Sequence, residues 1–192
     1  MWLYDWFWNT LHSLGLYNKT AKLVFIGLDN AGKTTLMHML RDNKLQTFMP
    51  TQKPTTEELT MGNIVFTAYD LGGHEIARRV WHDFYVDIDA IVFIIDAASP
   101  QRFKESKTEL DELLDNEDLR KVPFLVLGNK IDCAEAVEEY TLRGVFDLTR
   151  TYGKGIDGVV TNSDVRPLEL FMCSVVKRQG YKEGFNWLAQ FI

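Results

Sequence analysis

The chain predicts an α/β fold: a doubly wound, mostly parallel six-stranded sheet with flanking helices, preceded by an N-terminal amphipathic helix. Three observations carry this. Apolar runs of strand length alternate with helix-periodic segments along the 192 residues. The run Asp89-Ala90-Ile91-Val92-Phe93-Ile94-Ile95 is nearly all apolar, as a central strand covered on both faces must be. The motifs with ligand-binding chemistry fall at the carboxyl ends of expected strands, where such sheets take their ligands. Strands are expected near 22–27, 57–61, 64–70, 89–96, 122–128 and 168–173, and helices near 33–42, 75–85, 102–115, 137–147 and 181–191. The length suits one domain with a substantial core. Residues 1–18 form a separate aromatic helix in this division, and residues 19–192 form the domain.

The first strand runs into Gly27-Leu28-Asp29-Asn30-Ala31-Gly32-Lys33-Thr34, which fits G-x-x-x-x-G-K-[ST]. Its glycines let the backbone curl so that successive N–H groups point inward and cradle phosphate oxygens, helped by the positive end of the following helix. Lys33 reaches for the terminal phosphates, and the Thr34 hydroxyl is placed to ligate magnesium. A chance glycine-rich turn is the bland alternative, and the strand–loop–helix context argues against it.

The next segment, 46–58, is polar and poorly periodic, and it holds Pro54-Thr55. Thr55 is the candidate for a second magnesium ligand, with Thr51 and Thr56 as rivals that spacing leaves open. The strand at 64–70 alternates and ends in Asp70-Leu71-Gly72-Gly73-His74. Asp70 would hold magnesium through water; its other reading is a turn-capping carboxylate. The Gly73 amide can hydrogen-bond a γ-phosphate that is present in one nucleotide state and absent in the other.

The buried-strand run Phe124-Leu125-Val126-Leu127-Gly128 leads directly into Asn129-Lys130-Ile131-Asp132. An Asp carboxylate here can accept from both the ring N–H and the exocyclic amine of guanine. Adenine lacks that donor pair and would leave the carboxylate unpaired. Asn129 and the Lys130 stem would shape the pocket. The tetrapeptide alone is a weak signal; following the phosphate loop in this order, at a strand end, it is a strong one.

These motifs resemble the Ras-superfamily small GTPases, and D-L-G-G is the pattern of the Arf-like branch. His74 after Gly73, Pro54-Thr55-Thr56-Glu57-Glu58-Leu59, and Phe171-Met172-Cys173-Ser174-Val175 followed by Lys177-Arg178-Gln179-Gly180-Tyr181 resemble the Sar family of that branch. That family initiates the COPII coat at the endoplasmic reticulum, and the similarity runs along essentially the whole chain. It implies a P-loop small-GTPase fold with GTP or GDP as bound nucleotide and Mg2+ as cofactor. It implies a ligand shell of Asp29, Asn30, Ala31, Gly32, Lys33, Thr34 and Thr35 around the phosphates. Ser174, Val175 and Val176 supply backbone groups to the base by the same resemblance. The sequence is C-S-V-V where other GTPases have S-A-K-like residues, which leaves the register within that trio open by one position. His74 stands where many relatives carry the Gln that orients the attacking water, and an imidazole can do similar work; the alternative is a packing role.

No arginine is obviously placed to neutralise the transition state in cis, since Arg78 and Arg79 belong to a partner-binding segment in the family. Slow intrinsic hydrolysis is expected, stimulated by an activating subunit of the COPII inner coat that supplies an arginine. A membrane-bound guanine-nucleotide exchange factor is the other implied partner. The implied location is the cytoplasmic face of the endoplasmic reticulum membrane, its exit sites and the Golgi, with the GDP form cytosolic.

The N-terminus reads M-W-L-Y-D-W-F-W-N-T-L-H-S-L-G-L. Leu3, Phe7, Leu11 and Leu14 follow helical spacing with Tyr4 and Trp8 alongside, while Asp5, Asn9 and His12 fall opposite. The segment is too short and interrupted for a membrane span. It lacks the basic start and small-residue cleavage site of a signal peptide, and Trp2 excludes Met-Gly myristoylation. Permanent packing on the domain and binding to a partner protein are the competing readings. Insertion into a membrane interface, where Trp and Tyr are favoured, is the preferred one. The resemblance adds the coupling: the helix is stowed with GDP bound and released with GTP bound.

The net charge of −6 argues against a nucleic-acid binder. Two cysteines fit a reducing compartment, Cys173 as a small buried residue. The stretch 151–166 reads as a long surface loop. A guanine-nucleotide-dependent interaction module with little hydrolysis and a P-loop phosphotransferase are the alternatives; N-K-I-D argues against the second.

Overall fold

The computed structural model describes residues 20–42, 55–61, 64–70, 81, 85, 87–154 and 165–192. Six strands form one sheet: β1 (Thr20–Ile26), β2 (Thr55–Met61), β3 (Ile64–Asp70), β4 (Ala90–Asp96), β5 (Phe124–Asn129) and β6 (Leu168–Met172). Their order is β2-β3-β1-β4-β5-β6. Only the β2–β3 pair is antiparallel. The pairs β1–β3, β1–β4, β4–β5 and β5–β6 are parallel.

Period-two alternation sorts these strands into two cores. On one face Leu23, Phe25, Val92, Ile94, Leu125, Leu127 and Phe171 pack with helix α1 (Lys33–Asp42), through Leu36 and Met37, and with the C-terminal helix α4 (Tyr181–Leu188), through Phe185 and Trp187. On the other, Val24, Ile26, Ile91, Phe93, Val126 and Leu170 pack with α2 (Phe103–Asp115) and α3 (Glu139–Val145). The sheet is thus covered on both sides, and β4 and β5 are buried almost throughout.

Where boundaries differ from expectation the causes are local. β2 begins at Thr55 rather than 57; its start is polar and is made a strand by its ladder with β3. β5 begins at Phe124, because Pro123 has no N–H to give the ladder. The expected helix at 102–115 opens as a 3₁₀ turn, Pro100–Arg102, before becoming α-helical. α4 stops at Leu188, short of 191. Of the expected helix 75–85, only Trp81 and Tyr85 are described; Trp81 is buried in the second core.

The described start of the 151–166 stretch is anchored to the sheet. Glu169 on β6 is buried, and its carboxylate accepts from Thr151 Oγ1 and the Gly153 N–H, both at 2.7 Å, and pairs with Arg143. Trp187 Nε1 donates to the Gly153 carbonyl at 2.9 Å. Burying a carboxylate is costly unless it is paired and hydrogen-bonded in this way. Among the described residues no helix is long and apolar enough to cross a membrane.

Candidate nucleotide-binding site

The site grows from the end of β1. Gly27 has φ +144°, and a Cβ there would lie 2.2 Å from the Ile94 carbonyl oxygen of β4, so only glycine fits. The chain then turns through Asn30 (φ +62°) and Gly32 (φ +103°) before α1 begins at Lys33. Alternating handedness of this kind aims successive amides into one concavity. Leu28 and Ala31 are buried and pin the loop to the core. Lys33 is buried, and its ammonium donates to the carbonyls of Gly27 and Leu28, both at 2.9 Å. Its charge therefore lies along the loop itself.

The second half forms at the end of β5. Asn129 is buried; its Nδ2 donates to the Ala31 carbonyl at 2.8 Å, and its Oδ1 accepts from the Val175 N–H at 3.1 Å. A Cβ on Gly32 would come within 2.4 Å of that same amide nitrogen. One side chain thus joins the phosphate loop, the Asn129-Lys130-Ile131-Asp132 loop and the segment after β6. Lys130 has φ +70° and pairs with Asp96 at 2.7 Å. Asp96 also accepts from the Ala98 N–H and the Ser99 hydroxyl, which fixes the turn after β4.

Asp132 is exposed, with Oδ1 accepting from the Ser174 hydroxyl. That bond orients the carboxylate while its outer lone pairs face the solvent. Ser174 exchanges both backbone bonds with Gln179, so it meets the Asn129–Asp132 loop through its hydroxyl. Val175 directs its N–H to Asn129, and Val176 is half-exposed at the rim. Sequence reasoning assigned the trio only backbone roles, and a serine aimed at the aspartate has no local signature. Cys173 is fully buried, and burial, aided by the charge of Asp132, pushes its thiol up to about 12. At neutral pH it is an inert packing group.

Asp29 lies at the loop's outer edge, in contact with Arg102. Partial burial works against its charge, but hydrogen bonding and the field of the Arg102 guanidinium hold its carboxyl below the usual 3.8. A depressed carboxyl stabilises the fold fully above that ordinary value. The contribution disappears as pH falls through the lower folded-state value. Arg102 and Asp96 carry no motif and were not expected from sequence.

Thr34 and Thr35 occupy the first turn of α1. Thr55 and Asp70 are direct partners in the β2–β3 ladder, while Thr56 pairs with Tyr69. Asp70 also pairs with Phe25 of β1, two residues before Gly27, so Thr55, Asp70 and Phe25 lie side by side across the sheet. Thr51, Gly73, His74 and the helix expected over 1–18 lie outside the described residues.

A lysine lying along a left-and-right-turning loop suits phosphate, and a serine-held carboxylate at the adjoining strand end suits guanine far better than adenine. The architecture is that of a P-loop protein that reads a guanine nucleotide. Comparison with known proteins agrees. The model of the ADP-ribosylation factor family matches residues 7–192. The small COPII coat GTPase SAR1 of Giardia intestinalis is 50% identical over 189 residues, covering 98% of each chain. Its namesake from Nicotiana tabacum is 46% identical over the full length of both. Among solved structures, the Arl6 BBS3 small GTPase of Trypanosoma brucei, with bound nucleotide analogue GppNp, superimposes with a TM-score of 0.74 at 31% identity, covering 88% of this chain and 95% of the other. The chain belongs to the ADP-ribosylation factor family of small GTPases, which hydrolyse GTP.

Proposed function

We propose that this chain is the nucleotide-gated switch that starts COPII vesicle formation: bound to GTP, it inserts its N-terminal helix into the endoplasmic reticulum membrane and recruits the coat. The observation that carries the reading is its likeness, over 98% of its length, to a COPII coat GTPase. The phosphates lie in the turn formed by Asp29, Asn30, Ala31, Gly32, Lys33, Thr34 and Thr35. Asn129, Lys130 and Asp132 hold guanine, with Ser174, Val175 and Val176 closing the edge.

Magnesium is a hard cation that takes oxygen donors, and Thr34, Thr55 and Asp70 supply oxygens only. The Thr55–Asp70 register and the place of Thr34 at the head of α1 fit that role. When bound, the ion neutralises charge at the phosphates. Gly73 contacts the γ-phosphate and His74 orients the attacking water. An activating subunit of the inner coat supplies the missing arginine, and a membrane-bound exchange factor loads GTP.

Liposome flotation of the full chain, loaded with GDP or a non-hydrolysable GTP analogue, tests the membrane step. Flotation is expected only with the analogue and is lost when residues 1–16 are removed. Equal flotation in both states would break the coupling. For the catalytic step, His74→Ala should slow activator-stimulated hydrolysis by about a hundredfold with nucleotide binding intact. An unchanged rate would make His74 a packing residue and favour an interaction module with little hydrolysis.

A further inference from the structure

We propose that Arg102 is a positioning residue of the nucleotide site, holding the phosphate loop in its binding shape through Asp29. The inference rests on the reading of residues 29–35 as the phosphate cradle. Arg102 closes the 3₁₀ turn that follows β4. Its Nη1 donates to the Asp29 carbonyl at 3.0 Å and its Nη2 to the Asp29 carboxylate at 2.7 Å. Glu105, in the first turn of α2, accepts from Nε and Nη2 at 3.2 Å and keeps the guanidinium plane in place.

The peptide between Asp29 and Asn30 is planar and trans, so its C=O and N–H point in opposite directions. Fixing the Asp29 carbonyl toward Arg102 therefore fixes the Asn30 N–H away from it. No described protein group accepts that N–H. A carbonyl left unheld would let the peptide rotate and take the amide out of the cradle. The second contact acts through charge. The Asp29 carboxylate stands on a loop that receives a polyanion, and Arg102 neutralises it at contact distance.

Arg102 is also tied to the base-reading loop. Asp96 holds Lys130 on one side and the Ser99 hydroxyl on the other, and the Ser99 carbonyl accepts the Arg102 N–H at 2.9 Å. The 129–132 loop, the turn and the 27–34 loop form a continuous hydrogen-bonded arc. With both guanidinium edges committed to Asp29 and Glu105, Arg102 is not disposed to reach the reacting phosphate. Its removal should alter nucleotide retention rather than the chemical step.

The test measures release of N-methylanthraniloyl-GDP and single-turnover GTP hydrolysis in the full chain. Arg102→Ala is expected to speed release on the order of fivefold and leave single-turnover hydrolysis within about twofold of the parent. Arg102→Lys should recover part of the retention, since one ammonium lacks the fork that grips carbonyl and carboxylate together. Combined with Asp29→Asn, the effects should fall short of the product of the single changes. Release unchanged in Arg102→Ala, or retention and hydrolysis impaired together as in a loosened fold, would overturn the proposal. Lys33→Ala separates the two levels: if it speeds release and Arg102→Ala does not, only the role of Arg102 fails. If neither matters, the cradle reading fails and takes this proposal with it.

Discussion

Replacing Asp132 with Asn is expected to weaken GDP binding on the order of a thousandfold. A hydrogen bond from guanine to a carboxylate is worth about 1.5–3 kcal/mol, and a donor left facing a donor costs about 1–3 kcal/mol more, which together correspond to ~10²–10⁴ in affinity. The expectation follows from the setting of this side chain. Asp132 is exposed, its inner oxygen is held by the Ser174 hydroxyl, and its outer lone pairs remain open. Asparagine keeps one acceptor and presents an N–H where guanine also presents a donor. A base carrying a carbonyl at that position would accept from it, so xanthosine diphosphate should bind the variant better than GDP does. Titration with fluorescent derivatives of both nucleotides checks this. A loss of less than tenfold for GDP, with no gain for xanthosine diphosphate, would remove Asp132 from base reading.

The second large effect is on stability. Gly27→Ala should lower the melting temperature by roughly 10 °C. The added Cβ would meet the Ile94 carbonyl oxygen at 2.2 Å, and that oxygen is backbone in a buried central strand. Neither partner is a flexible side chain, so β1 and β4 must part at the mouth of the site. A cost of about 3 kcal/mol or more is the expected scale for such overpacking combined with an unfavourable φ. At about 2–4 °C per kcal/mol for a domain of this size, the shift is readily measured by calorimetry. A melting temperature within 2–3 °C of the parent would show that the strands yield at little cost.

What could be read from sequence follows from the range of the forces involved. β4 and β5 were legible because strands covered on both faces must be apolar along their length. The Gly27–Thr34 and Asn129–Asp132 motifs were legible because their chemistry is local: each needs particular residues within a few positions. The contacts that assemble them were not. Asn129 bonds Ala31 across 98 positions and Arg102 bonds Asp29 across 73, and neither pair leaves a periodic trace. The hydroxyl contact of Ser174 with Asp132 likewise depends on how β5 and β6 end together in space. β2 was set too short because an edge strand can be polar on all sides and be defined only by its neighbour.

The approach of Gly32 to Asn129 limits how this site can change over generations. With 2.4 Å between a hypothetical Cβ and the amide nitrogen, a larger residue at 32 is admitted only if 129 gives way, and Asn129 is already engaged with Ala31 and Val175. Substitutions at the two positions are therefore expected to be coupled. A lineage that altered one loop alone would lose the fit of both, and drift toward another ligand would have to pass through paired substitutions.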